Sequence, residues 1–149
     1  MNNLIKTILE ESGWHKNRKI DIDYITEEIQ KVGLVMPSSI ILEFLSEFGN
    51  LNIKLDPIYN EKGNIKIILE DIVDFLDDHD AIKYLSKLAK EDLFYIGTLF
   101  EETSSLFISS SGRFFMGTEK KFYLIGADFL SFMDNIIYQK NIIDISAGS

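Results

Sequence analysis

Apolar positions in the first third of the chain recur at helical spacing. Leu4, Ile5, Ile8 and Leu9 form an i, i+1, i+4, i+5 stripe, which predicts a helix over 3–12. Gly13 follows it with the freedom to take positive φ and stop the turn. After the polar connector Trp14–Lys19, Ile22, Ile25, Ile29 and Val32 fall at spacings of three, four and three. That predicts a second helix, capped by Asp21 or Asp23 and ended by Gly33. A third opens at Met36-Pro37-Ser38-Ser39, with Pro37 placed in a first turn that has no use for its missing N–H. Ile40, Ile41, Phe44, Leu45 and Phe48 are its expected buried face, and Gly49 closes it.

The period then changes to two. Leu51, Ile53 and Leu55 alternate with Asn52 and Lys54, and Ile65, Ile67 and Leu69 alternate again. Residues 51–69 therefore read as an antiparallel hairpin whose long connection runs from Asp56-Pro57 to Lys62-Gly63. Helical spacing returns over 70–90, as one broken helix or two, with Asp80 available to cap a second piece. Beyond Asp92, four short aromatic or β-branched runs predict strands at 95–99, 105–108, 113–116 and 122–125, with Ser109-Ser110-Ser111-Gly112 as a turn. Phe129, Phe132, Met133, Ile136 and Ile137 fit one face of a last helix starting at Gly126-Ala127-Asp128, and the tail 146–149 should fray. Hairpins without strand–helix alternation predict an antiparallel α+β fold, in one domain over 1–149.

Composition narrows the function classes. The chain has 149 residues, 46% of them apolar, and eleven Phe supply bulk for a packed core. It has no cysteine, which removes disulfides, thiolate metal sites and a Cys nucleophile, and favours the cytoplasm. A net charge of −9 argues against nucleic-acid binding, which rewards a basic face. No apolar run reaches the ~18 residues a membrane span needs, and the first residues, MNNLIKTILEESGW, are expected to be neither signal peptide nor lipidation site.

The charge is concentrated. Residues 70–102 hold ten acidic side chains against Lys83, Lys87 and Lys90, a net of −7, while the rest of the chain is nearly balanced. Asp71, Asp74 and Asp78, at i, i+3 and i+7, would line one side of a continuous helix, where like charges cost a few tenths of a kcal/mol per pair. Two readings follow. The acids, with Asp77 and Asp80, steer a basic partner onto this surface, or they form a solvated helix face.

Catalytic patterns are missing. Asp78-His79-Asp80 offers adjacent ligands, but neighbours on a helix point about 100° apart. Calcium-loop spacing fails from both Asp21 and Asp78, so no metal site and no cofactor is expected. His15 and His79 sit in no recognisable constellation, the serines lack a nucleophile elbow, and no glycine-rich loop precedes Lys-Ser or Lys-Thr. A hydrolase using a carboxylate pair and a divalent ion has only the abundance of Asp and Glu behind it, and the chain is read as no enzyme. Trp14 fits a core plug or an exposed binding anchor. Arg18, four residues on, could stack on its indole or pair with a carboxylate of the acidic stretch. Phe114, Phe115, Phe122 and Tyr123 read as core and edge of a sheet rather than a base-stacking platform.

Glu11-Ser12-Gly13-Trp14 with Arg18 close behind resembles the Gly-Trp…Arg motif of the third SUKH subfamily of bacterial immunity proteins. Phe44-Leu45 through Phe48-Gly49-Asn50-Leu51 is similar to that family's Phe-Leu…Phe-Gly-Gly-Leu segment, with Asn50 where a second Gly is common. Tyr95-Ile96-Gly97, Ser111-Gly112-Arg113-Phe114-Phe115 and Leu124-Ile125-Gly126 are similar to its later strand blocks, with Phe115 where a Tyr is often found. The resemblance implies an α+β fold with a curved antiparallel sheet and flanking helices. It also implies an antitoxin that binds the catalytic tip of a polymorphic toxin, often a nuclease, and carries no catalytic residues of its own. The matched Gly13, Trp14, Arg18, Phe44, Phe48, Gly49, Gly97 and Gly112 are expected to shape the fold rather than touch the partner. Regulatory relatives in the superfamily leave an intracellular scaffold role as the alternative.

Overall fold

The computed structural model describes residues 1–55 and 63–146, His79 by its backbone. Helices α1 (Asn3–Glu11), α2 (Asp23–Lys31) and α3 (Ser39–Phe48) come first, followed by strands β1 (Leu51–Lys54) and β2 (Asn64–Ile67). Next are α4 (Leu69–Phe75), α5 (His79–Ala89), β3 (Leu93–Leu99), β4 (Ser104–Ser109), β5 (Phe114–Gly117) and β6 (Phe122–Gly126). Helix α6 (Phe129–Tyr138) and the two-residue β7 (Ile143–Asp144) complete the order. These seven strands form one antiparallel sheet in sequence order, so each strand returns beside its predecessor. That is the α+β architecture the alternation predicts.

Pairing register sorts the side chains. Leu51 faces Ile67, Ile53 faces Ile65, and Ile65 faces Leu99, while Asn52, Lys54 and Lys66 fall on the other side. In β5 both Phe114 and Phe115 are buried, although neighbours on a strand point to opposite faces. Phe114 meets Phe44, Phe129 and Phe132 with ring centroids 5.3, 5.7 and 5.0 Å away. Phe115 stacks on Phe122 at 5.5 Å, and the chain of rings continues through Phe107 and Tyr95 to Phe75. The centre of the sheet is thus covered on both faces, by α3 and α6 on one and by α5 and the end of α4 on the other. This is why its strands read as continuous apolar runs instead of alternating.

Helices α1 and α2 each end on a glycine by the same device. Trp14 N–H donates to the Leu9 carbonyl at 3.0 Å and Gly13 N–H to that of Glu10 at 3.1 Å, with Gly13 at φ +107°. Leu34 and Gly33 repeat the pattern on Ile29 and Gln30 at the end of α2.

Several boundaries differ from the sequence reading. Pro37 lies outside α3. The N-cap is Ser38, whose hydroxyl donates to the Ser110 carbonyl at 2.9 Å instead of capping the helix. Ile40 is exposed while Ile41, Phe44, Leu45 and Phe48 are buried. Asp21 accepts the Asp23 N–H at 2.8 Å, but Ile22 holds the N-cap position. The N-cap of α5 is Asp78 rather than Asp80, which sits in the first turn, where the helix dipole favours an acid. Strand β7 has no counterpart in the sequence reading. Ser146, placed there in a fraying tail, is pinned: its hydroxyl oxygen accepts the Phe122 N–H at 2.8 Å. The expected connection over 56–62 and the tail residues 147–149 lie outside the described residues.

Candidate partner-binding surface

The motif residues of the N-terminal third converge on one helix end. Arg18 neither stacks on Trp14 nor reaches the acidic stretch; its guanidinium donates to the backbone carbonyls of Glu47 and, at 2.8 Å, of Gly49. Carbonyls in the last turn of a helix have no intrahelical partner, so Arg18 satisfies what α3 leaves open. Desolvation lowers its pKa, and the Glu47 carboxylate works against that shift. Trp14 is half-buried, lies parallel to Phe48 and donates from Nε1 to Glu47 Oε2 at 2.9 Å. Phe44 and Phe48 fill the core beneath, with centroids 5.1 Å apart. A Cβ on Gly49 would strike the Leu45 carbonyl, and one on Gly97 the Lys66 carbonyl of the neighbouring strand. Gly97 follows a β-bulge where β3 crosses β2 closely. Gly112, at φ +96°, makes the turn into β5.

The acidic stretch is arranged differently from its helical-wheel expectation. Helix α4 buries Leu69 and Ile72 and turns Asp71 and Asp74 outward, but it stops at Phe75. Asp78 lies beyond the break with φ −94° and ψ 60°, so it does not continue the face that Asp71 and Asp74 share. Acids crowding the negative end of a helix disfavour its continuation, and Asp is at home in caps. Asp71, Asp74, Asp77, Asp78 and Asp80 are all exposed, and no salt bridge engages them among the described residues.

Beside this segment runs a cleft of ≈ 680 Å³ between the α2–α3 connection, α4, α5 and the start of β3. Ile41, Ile72, Phe75, Ile82 and Tyr95 form apolar walls, and Phe75 stacks on Tyr95 at 4.0 Å. Burial, followed by the charges of Asp71 and Glu102, raises the Tyr95 phenol. Val35, in the cleft lining, is 91% exposed. The sequence reading missed this cleft because its walls come from residues far apart in the chain. The one local signal was an apolar Leu34-Val35-Met36 where a helix connection is ordinarily polar.

A polar brace closes the other end of α5. Glu91 binds Arg113 and the Ser110–Ser111 turn, and Arg113 also donates to the Ala89 carbonyl at 2.8 Å. Among the described residues no group of three or more His, Cys, Asp or Glu is placed to hold a metal ion. No helix among them is long and apolar enough to cross a membrane.

The family model described as SUKH-3 immunity protein matches residues 1–139. No curated protein and no solved structure matches the chain.

Proposed function

The chain belongs to the SUKH-3 immunity protein family, and from that premise we propose that it neutralises a cognate toxin by binding the toxin's catalytic domain and covering its substrate channel. The toxin is a nuclease, the site of action is the cytoplasm where a nuclease meets its substrate, and no bond is made or broken by this chain. What supports the reading is the set of five exposed aspartates from α4 to the first turn of α5, outside any salt bridge among the described residues, in a segment of net charge −7. A channel that grips a phosphate backbone is basic. A carboxylate-rich surface complements it, speeds encounter and excludes nucleic acid from the same groove.

Co-expression tests this directly. Cells producing the toxin domain encoded beside this gene should resume growth when the chain is supplied, and the two proteins should co-purify in equal amounts. Cells that die regardless, with no complex formed, would remove the proposal.

A further inference from the structure

We infer that Glu101, in the β3–β4 turn, is a contact residue for the toxin, offering its carboxylate to a Lys or Arg side chain of the toxin domain; this rests on the immunity reading above. Phe100, Glu101 and Glu102 stand in succession at φ +54°, +56° and +69°. None is a glycine, and a left-handed backbone is unfavourable at each of them. The other non-glycine residues with positive φ among the described residues have ordinary reasons for it. Asn17, Asn50 and Asn141 are asparagines, which tolerate that region, and Lys90 and Gln139 end α5 and α6 as left-handed caps. The run 100–102 has no such reason in its sequence.

Neighbouring groups hold the run in place. The Asn64 carbonyl accepts the Phe100 N–H at 3.0 Å, and Asn64 Oδ1 accepts the Glu101 N–H at 2.6 Å. The Asn64 side-chain amide in turn donates to Asn52 Oδ1 at 3.0 Å. Thr103 donates its N–H and its hydroxyl to the Phe100 carbonyl at 3.2 and 2.8 Å. Strained backbone persists where its surroundings over-determine it, and such places gather at ligand clamps and active sites.

Of the three side chains, two have a task within the fold. Phe100 packs against the core, and Glu102 pairs with Lys66 at 3.0 Å. Glu101 is exposed, and no hydrogen bond or ion pair engages its carboxylate among the described residues. A turn shaped for its backbone alone would carry Gly or Asn at this position. Glutamate there costs stability and supports nothing around it, so its carboxylate serves a group outside the chain. An ionised carboxylate only accepts hydrogen bonds and pairs most strongly with Arg or Lys. The net charge of −7 over residues 70–102 also turns an acidic partner away from this turn.

The test uses the full chain and the toxin domain encoded by the neighbouring gene. Glu101→Gln removes the charge and keeps the strain, so the melting temperature should stay within about a degree of the parent while affinity falls about fivefold or more. Glu101→Gly also relieves the strain: it should melt roughly 2–4 °C higher and bind at least as weakly as Glu101→Gln. Glu119→Gln, at an exposed acid of the β5–β6 turn, changes net charge equally and should bind like the parent. Binding within twofold of the parent by either Glu101 variant would overturn the contact and leave the immunity reading standing. Equal weakening by Glu119→Gln would also overturn it, reducing the effect to net charge. A glycine variant that melts no higher than the parent would overturn it as well, by removing the strain it is argued from. A parent chain that fails to bind the toxin domain at all would overturn the immunity reading beneath it.

Discussion

Glu91 divides its carboxylate between two tasks: Oε2 takes Nε and Nη2 of Arg113 at 2.6 and 2.5 Å, while Oε1 accepts the Ser111 N–H at 3.0 Å and the Ser110 hydroxyl at 3.2 Å. One side chain thereby ties the end of α5 to the β4–β5 turn. Partial burial pushes the Glu91 carboxyl up, but the hydrogen bonds of the serine turn and of Arg113 outweigh it and hold the pKa at about 2, below its ordinary 4.5. A depressed carboxyl stabilises the fold above its unfolded pKa, and the contribution drains as pH falls toward the folded value. Stability should therefore decline between about pH 5 and pH 2 by roughly 2 kcal/mol from this group, after solvent screening is allowed for. Glu91→Gln should flatten that decline in urea denaturation curves taken across the same range. An unchanged slope would mean the brace contributes nothing.

Glu47 offers a second division, between side chain and backbone. Its carboxylate receives Trp14, whereas its carbonyl receives Arg18. Trp14→Phe and Glu47→Ala should each cost about 1 kcal/mol, and the double variant should cost little more than either alone, because they remove the same bond. Arg18→Met strands two carbonyls and should cost about 2 kcal/mol, with weaker coupling to Glu47→Ala than Trp14→Phe shows, because the Glu47 carboxylate acts on the guanidinium by charge alone. Thermal denaturation of the parent and the five variants decides it; coupling of Arg18 to the Glu47 side chain as strong as that of Trp14 would contradict the geometry.

Two glycines should respond unequally to alanine. At Gly33 a Cβ meets nothing within 4 Å and only the backbone, at φ +76°, resists. At Gly97 the Cβ would run into the backbone carbonyl of Lys66, which cannot move without opening the β2–β3 pairing. Gly33→Ala should cost about 1 kcal/mol, and Gly97→Ala about 3 kcal/mol or more, at the upper end of overpacking effects. Equal melting temperatures for the two variants would show that β2 and β3 separate freely.

The pattern of these effects tracks what the sequence could convey. Local periodicity located the helices and most strands, and glycines 13 and 33 marked two helix ends, since those features depend on a few consecutive residues. It could not reveal that Arg18 would serve carbonyls 29 and 31 positions away, because any guanidinium within reach of a helix end or a carboxylate reads alike. Nor could it see the break that sends Asp78 off the face of Asp71 and Asp74. Strand β7 escaped for a different reason: two residues, Ile143 and Asp144, carry no period, and their pairing depends on Tyr123 and Leu124 lying at an open edge. The cleft at Val35 was beyond a linear reading altogether, assembled as it is from segments between Ile29 and Ser110.

If the acidic stretch steers the partner, its position must matter and not only its charge. Reversing Asp74, Asp77 and Asp78 to Lys should slow association with the toxin domain by tenfold or more at low salt and flatten the dependence of that rate on salt. All three are exposed and outside any salt bridge among the described residues, so folding stability should hold or rise slightly as like charges separate. Reversing the exposed Glu10, Glu11 and Glu27 changes the net charge equally on other helices and provides the comparison. Stopped-flow association across a salt series should separate the two triple variants clearly. Equal slowing would reduce the effect to net charge, and no slowing in either would move the interface away from α4 and α5, toward Trp14 or the open side of the sheet near β1.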